Sequence, residues 1–278
     1  MADAARSPVL KLNDGQRMPQ LGLGVLQAPP DETAEVVRTA LQTGYRLIDT
    51  AAAYRNEAGV GDGVRSSGVP RKEIFVTTKL WNTNHGYDEA LAAFDRSQQR
   101  LGLDYIDLFL IHWPVPAQGR YIDAWRAMVR LHEEGRVRSI GVSNFMIEHL
   151  RRAAAETGVT PAVNQIELHP KFQQSELHAF HAGQGIVTQS WSPLGRGDSI
   201  KHAEFARIGA RHGKTAAQAI IRWHLQQGLS VIPKSVRAER IAENFEVFAF
   251  ALDEADMAAI AKLDDAAGRI GPDPLVYS

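Results

Sequence analysis

The sequence predicts an α/β fold, a (β/α)8 TIM barrel with an N-terminal β-hairpin cap, and three observations predict it. Eight short β-rich segments alternate with amphipathic helical ones along an evenly composed chain. The length, 278 residues, suits one such barrel, which needs about 250. An open doubly wound sheet that holds a dinucleotide would show a glycine-rich turn after its first strand. Gly22-Leu-Gly24-Val-Leu-Gln27 lacks the third glycine, and Gly59-Val-Gly61-Asp-Gly63 is not preceded by a strand.

The elements are taken in chain order. Asp14-Gly15 between two short runs reads as a tight hairpin turn, a lid over one end of the barrel. Strands are predicted at 21–23, 46–49, 74–78, 106–111, 137–142, 162–166, 186–191 and 230–232. Helical periodicity fills 31–43, 88–101, 121–134, 147–156 and 175–183. Gly44, Gly102, Gly135, Gly158 and Gly228 stand where a helix stops in a left-handed residue. No Pro/Gly/Ser-rich or single-sign block divides the chain, so residues 1–278 read as one domain.

Composition excludes several classes. The net charge is −1, so nothing draws the chain to nucleic acid or an anionic membrane. There is no cysteine, which removes disulfides, thiolate metal sites and thiol catalysis. The start, MADAARSPVLKL, has no apolar stretch of signal-peptide length, and no run of apolar residues is long enough to span a bilayer. The expectation is a cytoplasmic location. No metal site is expected, since His132-Glu133-Glu134 lacks the second histidine of a zinc helix motif.

Barrel chemistry comes from the C-terminal ends of the strands and the loops after them. Those positions here hold Asp49 and Tyr54, Lys79 and Trp81, His112 and Trp113, Ser143 and Asn144, Gln165 and Glu167, Trp191 and Ser192, then Lys234 and Ser235. Each alone has a plain structural use as a cap, a packed ring or a satisfied core histidine. Asp49, Tyr54, Lys79 and His112 at one mouth form an acid–base set. A phenol titrates near pH 10, and an ammonium beside it lowers that value, so Lys79 is expected to activate Tyr54. Asp49 holds Lys79 charged, and His112 orients a carbonyl oxygen. A carbonyl reduced here also needs a hydride, which no side chain provides and a nicotinamide does.

The same residues fall in motifs that resemble the aldo-keto reductase family: Arg46-Leu-Ile-Asp49-Thr-Ala-Ala-Ala-Tyr54-Arg-Asn-Glu57, Thr77-Thr-Lys79-Leu-Trp81, Asp107-Leu-Phe-Leu-Ile-His112-Trp-Pro114, Ser139-Ile-Gly-Val-Ser143-Asn144-Phe145, Asn164-Gln165-Ile-Glu167-Leu-His169-Pro170 and Ile232-Pro-Lys234-Ser235-Val236-Arg237-Ala-Glu-Arg240. The resemblance runs from about Val9 to Leu263 and is nearest to bacterial 2,5-diketo-D-gluconate reductase-like members. It implies an NADPH/NADP+-dependent reductase of aldehydes and ketones, such as 2,5-diketo-D-gluconate, methylglyoxal or related dicarbonyls, and a monomer. Tyr54 is then the general acid, helped by Lys79 and Asp49, with His112 orienting the carbonyl. Ser143, Asn144 and Gln165 meet the nicotinamide amide, and Trp191 stacks on its ring where the family commonly has Tyr. Ser192, Leu194 and Gly195 cover the pyrophosphate; Glu243 and Asn244 meet the adenine.

Lys234, Arg237 and Arg240, with Ser235, are also placed by electrostatics, and Val236 between them is counted with the cofactor-binding residues. Cations at a helix start oppose its dipole, and an anion such as a 2′-phosphate removes that conflict. For the substrate pocket the expectation is Val25, Leu26, Trp81, His112 and Trp113. The loop Trp113–Gly119 is short beside mammalian members, and the tail 268–278 has too little periodicity to place. Two other functions use the same residues: a barrel lyase with Lys79 as Schiff base, and a non-catalytic NADPH-binding barrel module. The lyase leaves Trp191 and the Lys234–Arg240 cluster without a task, and the module predicts a damaged acid–base set.

Overall fold

The computed structural model describes residues 7–278. Its N-terminal hairpin pairs β1 (Val9–Lys11) with β2 (Arg17–Pro19), Leu10 opposite Met18. Asp14-Gly15 makes the turn: Leu12 N–H donates to Gln16 O at 2.9 Å, and the Asp14 carboxylate accepts from Gln16 N–H. Leu12 and Met18 are fully buried against Leu47, Phe75, Leu108, Leu110 and Val163. Asn13 donates to Pro161 O, just before a strand begins. The hairpin therefore plugs the end of the barrel where strands start, opposite the mouth.

The eight remaining strands are β3 (Leu23–Gly24), β4 (Leu47–Asp49), β5 (Phe75–Leu80), β6 (Ile106–Ile111), β7 (Val137–Ser143), β8 (Val163–Glu167), β9 (Val187–Trp191) and β10 (Ser230–Val231). All pair in parallel in chain order. Parallel bridges Leu21↔Val231 and Gly24↔Lys234, with Gly22 N–H on Val231 O at 2.9 Å, join the first strand to the last and close the (β/α)8 barrel. Most strand residues are buried on both sides, as a sheet covered by helices requires.

The predicted helices appear as α1 (Thr33–Thr43), α3 (Tyr87–Leu101), α4 (Tyr121–Glu133), α5 (Ile147–Thr157) and α6 (Ser175–Gln184). The five predicted stops have positive φ, from 60° at Gly102 to 127° at Gly44. Helices beyond those predicted are α2 (Glu57–Ser66), α7 (Asp198–Lys201), α8 (Ala203–Arg211), α9 (Ala216–Gln226), α10 (Ala238–Phe245) and α11 (Glu254–Ala261). The start of α9 is a capping box, with Thr215 Oγ1 on Gln218 N–H and Gln218 Oε1 on Thr215 N–H. The glycines of Gly59-Val-Gly61-Asp-Gly63 lie inside α2. A Cβ on Gly61 would collide with Leu101 O of α3, and one on Gly63 would lie 2.7 Å from Ala34 O of α1. They are there for close helix packing.

Candidate active site

A cavity of about 360 Å³ opens at the C-terminal ends of the strands, lined among others by Asp49, Tyr54, Trp81, His112, Gln165 and Trp191. At its base Lys79 Nζ donates to Asp49 Oδ1 at 2.6 Å and to Thr50 O at 2.8 Å. Lys79 is fully buried and Asp49 nearly so. A buried ammonium survives only when paired and hydrogen-bonded, and these contacts meet that demand. The same Nζ lies 5.1 Å from the centroid of the Tyr54 ring. His112 meets Tyr54 edge-on at 5.8 Å and Trp81 edge-on at 5.2 Å. The four expected acid–base residues thus come together from β4, β5, the end of β6 and the loop after β4.

Tyr54 is half-buried on a one-turn 3-10 helix, Ala52–Tyr54, ended by Arg55 at φ 58°. Two buried residues just beyond it brace this turn. Asn56 accepts from Thr50 Oγ1 at 2.7 Å and donates to Val25 O at 2.9 Å. Glu57 accepts from Thr78 Oγ1 and from Arg100, both at 2.6 Å. Sequence reasoning assigned neither; the signal was an Asn-Glu pair directly after the candidate acid and at the start of a helix.

Burial pushes the Tyr54 phenol up. Lys79 pulls it down and Asp49 pushes it up, and the net is above the ordinary tyrosine value. This corrects the expectation that Lys79 leaves the phenol lowered: its pull has the expected sign, but loss of water outweighs it. Burial pulls Lys79 down too, yet Asp49 and Tyr54 raise it above an ordinary lysine. Burial, with the Lys79 charge adding to it, holds His112 well below the usual histidine range, so the ring is neutral near pH 7. Its buried Nδ1 has no partner among the described residues.

The nicotinamide-side expectations lie along one wall. Ser143 Oγ donates to Gln165 O at 2.8 Å, and Asn144, at φ 62°, donates to His112 O at 2.9 Å. Trp191 Nε1–H donates to Asn144 Oδ1 at 2.8 Å, which fixes the indole. Ser192 also has positive φ, 48°, and Gly195 N–H returns to Ser192 O. Leu194 is half-buried in that loop. Non-glycine residues in left-handed backbone at Asn144 and Ser192 are the strain expected at a binding site.

After β10, Lys234, Arg237 and Arg240 are exposed, with Lys234 lining the same cavity, and Val236 is half-buried. Among the described residues Lys234 and Arg240 form no ion pair, and Arg237 reaches a carboxylate, Glu239, only at 3.9 Å. Ser235 Oγ accepts from Arg237 N–H at 3.2 Å and so shapes the start of α10. Asn244 is buried, and Glu243 accepts from Thr215 Oγ1.

The substrate side needs one correction. Leu26, Trp81, His112 and Trp113 line the cavity, but Val25 does not. Val25 is fully buried in the core, because its neighbour Leu26 takes the outward direction as the chain leaves β3. The tail, which periodicity could not place, supplies Pro272 to the cavity. Glu167 accepts from Ile270 N–H at 2.6 Å and Gly271 N–H at 2.8 Å, and Tyr277 packs on Trp113 with centroids 4.5 Å apart. Among the described residues no three His, Asp or Glu side chains gather as metal ligands, and no helix is long and apolar enough to cross a membrane.

Residues 18–265 match the model of the aldo/keto reductase family. The chain is 53% identical over 272 residues to the methylglyoxal reductase DkgA of Escherichia coli, covering 97% of this chain and 98% of that one. It is 50% identical over 284 residues to morphine 6-dehydrogenase of Pseudomonas putida, covering 98% and 96%. A crystal structure of a Gox0644 mutant in complex with NADPH is 52% identical, with a TM-score of 0.95 over 99% of this chain and 100% of that one.

Proposed function

The chain belongs to the aldo/keto reductase family, and within that family's NADPH-dependent carbonyl reduction we propose that it reduces small dicarbonyls, with Tyr54 delivering the proton. The observation that carries this reading is the buried Asp49–Lys79 pair beneath the Tyr54 ring.

The residues present fit an NADPH. The Trp191 ring, fixed by Asn144, gives a stacking face. Gln165 keeps a side-chain carbonyl that accepts nothing from the described residues. Lys234, on the cavity lining, and Arg240 are exposed cations after β10. When bound, the reduced nicotinamide supplies the hydride for the carbonyl carbon. The protein does the rest. The neutral His112 hydrogen-bonds the carbonyl oxygen and turns it toward Tyr54. Tyr54 holds its proton through neutral pH because burial raises it, and gives that proton to the oxygen as negative charge develops there. The Lys79 ammonium then stabilises the phenolate left behind, and Asp49 keeps Lys79 charged.

The cavity of about 360 Å³ must hold both a nicotinamide ring and the substrate, which favours a small carbonyl compound. The Escherichia coli relative is named for methylglyoxal reduction, which points the same way. Leu26, Trp81, Trp113 and Pro272 give the cavity apolar and aromatic walls. The complete set of groups within one chain supports a monomer, and dependence on NADPH supports a cytoplasmic location.

Lys79 also argues against a Schiff-base lyase. A Schiff-base lysine needs a neutral amine, whereas Lys79 is held above the ordinary lysine value. The test is NADPH consumption with methylglyoxal, keto-sugar acids and monofunctional aldehydes, repeated with NADH. Turnover should favour NADPH and small dicarbonyls. Turnover confined to bulky polycyclic ketones would overturn the substrate assignment.

A further inference from the structure

We infer that Gln189 is a positioning residue: together with Asp49 it holds the Gln165 side-chain amide in place, with its oxygen rather than its NH2 aimed at the nicotinamide site. This rests on the reading that Gln165 meets the nicotinamide carboxamide.

Counting donors fixes the orientation. The Gln165 amide nitrogen has two hydrogens. One goes to Asp49 Oδ2 at 2.7 Å and the other to Gln189 Oε1 at 2.6 Å. Turning the amide over would set its oxygen against two other oxygens. In the observed orientation Oε1 accepts nothing from the described residues, while Gln165 lines the cavity. The open acceptor suits an N–H donor, and the NH2 of a carboxamide supplies one.

Asp49, which can only accept, sets which end of the amide it meets, but it engages a single hydrogen and leaves the amide free to swing about that contact. Gln189 takes the second, and Gln189 is itself fixed. Its Nε2 donates to Ser230 Oγ at 3.0 Å, with Met18 Sδ at 4.0 Å. The register explains the contact: Gln165 and Ser230 are both the direct partners of Gln189, so three strands share one rung. Gln189, Ser230 and Met18 are fully buried and Gln165 nearly so. Layers inside such barrels are mainly branched apolar side chains. A polar rung there is costly unless each member is satisfied, and a satisfied one is held in a single arrangement. The chain Asp49–Gln165–Gln189–Ser230 thus carries a direction from the barrel interior to the cavity wall.

The test is binding, read by fluorescence titration of NADP+ and of its acetylpyridine analogue, whose methyl ketone has no N–H to donate. The intact protein should bind NADP+ about tenfold more tightly than the analogue, the value of one hydrogen bond. Gln189→Met keeps the volume and removes the acceptor. It should weaken NADP+ about tenfold and change the analogue less than about twofold, so the discrimination disappears. Ser230→Ala, a smaller perturbation, should shift the ratio in the same direction. The inference is overturned if both variants keep the discrimination of the intact protein, or if either weakens both ligands equally. An intact protein that binds both ligands alike refutes the Gln165 contact itself, which distinguishes that failure from a failure of Gln189.

Discussion

The Glu167 carboxylate accepts the Gly271 amide at 2.8 Å, tying the C-terminal tail to the end of β8. Ile270 N–H joins the same carboxylate and His169 Nε2 lies 3.1 Å from it. Burial alone would raise Glu167, yet these contacts draw it below the usual carboxylate range. A buried carboxylate thus holds the segment that places Pro272 in the cavity and Tyr277 on Trp113.

Glu167→Ala should therefore free the tail while leaving the acid–base set in place. KM for the carbonyl substrate should rise about five- to tenfold, with the NADPH Kd unchanged and stability lower by about 1–3 kcal/mol, the cost of leaving such groups unpaired. Steady-state kinetics and urea unfolding measure both. An unchanged KM would mean that the tail is no wall of the working pocket.

The Asp49–Lys79 pair should behave as one unit. Lys79→Met leaves a buried carboxylate without its cation and should cost about 3–5 kcal/mol in unfolding free energy. Adding Asp49→Asn should recover a large part of that loss, because the uncompensated charge goes with it. Turnover should be lost in both. Additive losses would contradict the pairing.

His112 and Tyr54 together set the pH dependence. Its pKa lies well below 6.5, so the ring stays neutral through the range where a free histidine titrates. Tyr54 lies above the ordinary tyrosine value and remains protonated there. The kcat for carbonyl reduction should be flat from about pH 6 to 8 and fall only on the alkaline side as Tyr54 deprotonates. A break near pH 6.5 that His112→Gln removes would contradict this.

Stability should fall on mild acidification. Burial pushes His181 and His224 down to about 3, and His85 to about 4 with Arg120 adding to it. The unfolded histidine titrates near 6.5, so below that pH the unfolded chain binds protons that the folded chain refuses. The stability these groups support is complete above about pH 6.5 and is lost as pH falls toward their folded values. At pH 5 each should have cost about 2 kcal/mol, read as a drop in urea midpoint, and His224→Gln should remove one share of the slope. An unchanged midpoint between pH 7 and 5 would sink the prediction.

Much of this was legible in the sequence because barrels put chemistry at strand ends. Reading the residue after each predicted strand found Asp49, Lys79, His112, Ser143, Gln165 and Trp191 at the cavity or its base. Four features were not legible, each for a physical reason. Helix α2 contains three glycines, which look like a loop until α1 and α3 are seen packing against them. Val25 and Leu26 are adjacent, and which one faces the cavity depends on how β3 ends. The rung Gln165–Gln189–Ser230 depends on register between three strands, which no single segment encodes. The net rise of the Tyr54 pKa required knowing how little water reaches it.

The proton assignment is tested most directly by Tyr54→Phe, with NADPH binding and turnover measured on the same preparation. The NADPH Kd should stay within about twofold of the unaltered protein, and kcat for methylglyoxal should fall at least about a hundredfold, the usual share of a positioned general acid. A near-normal kcat would contradict the assignment and move the proton donor to another group.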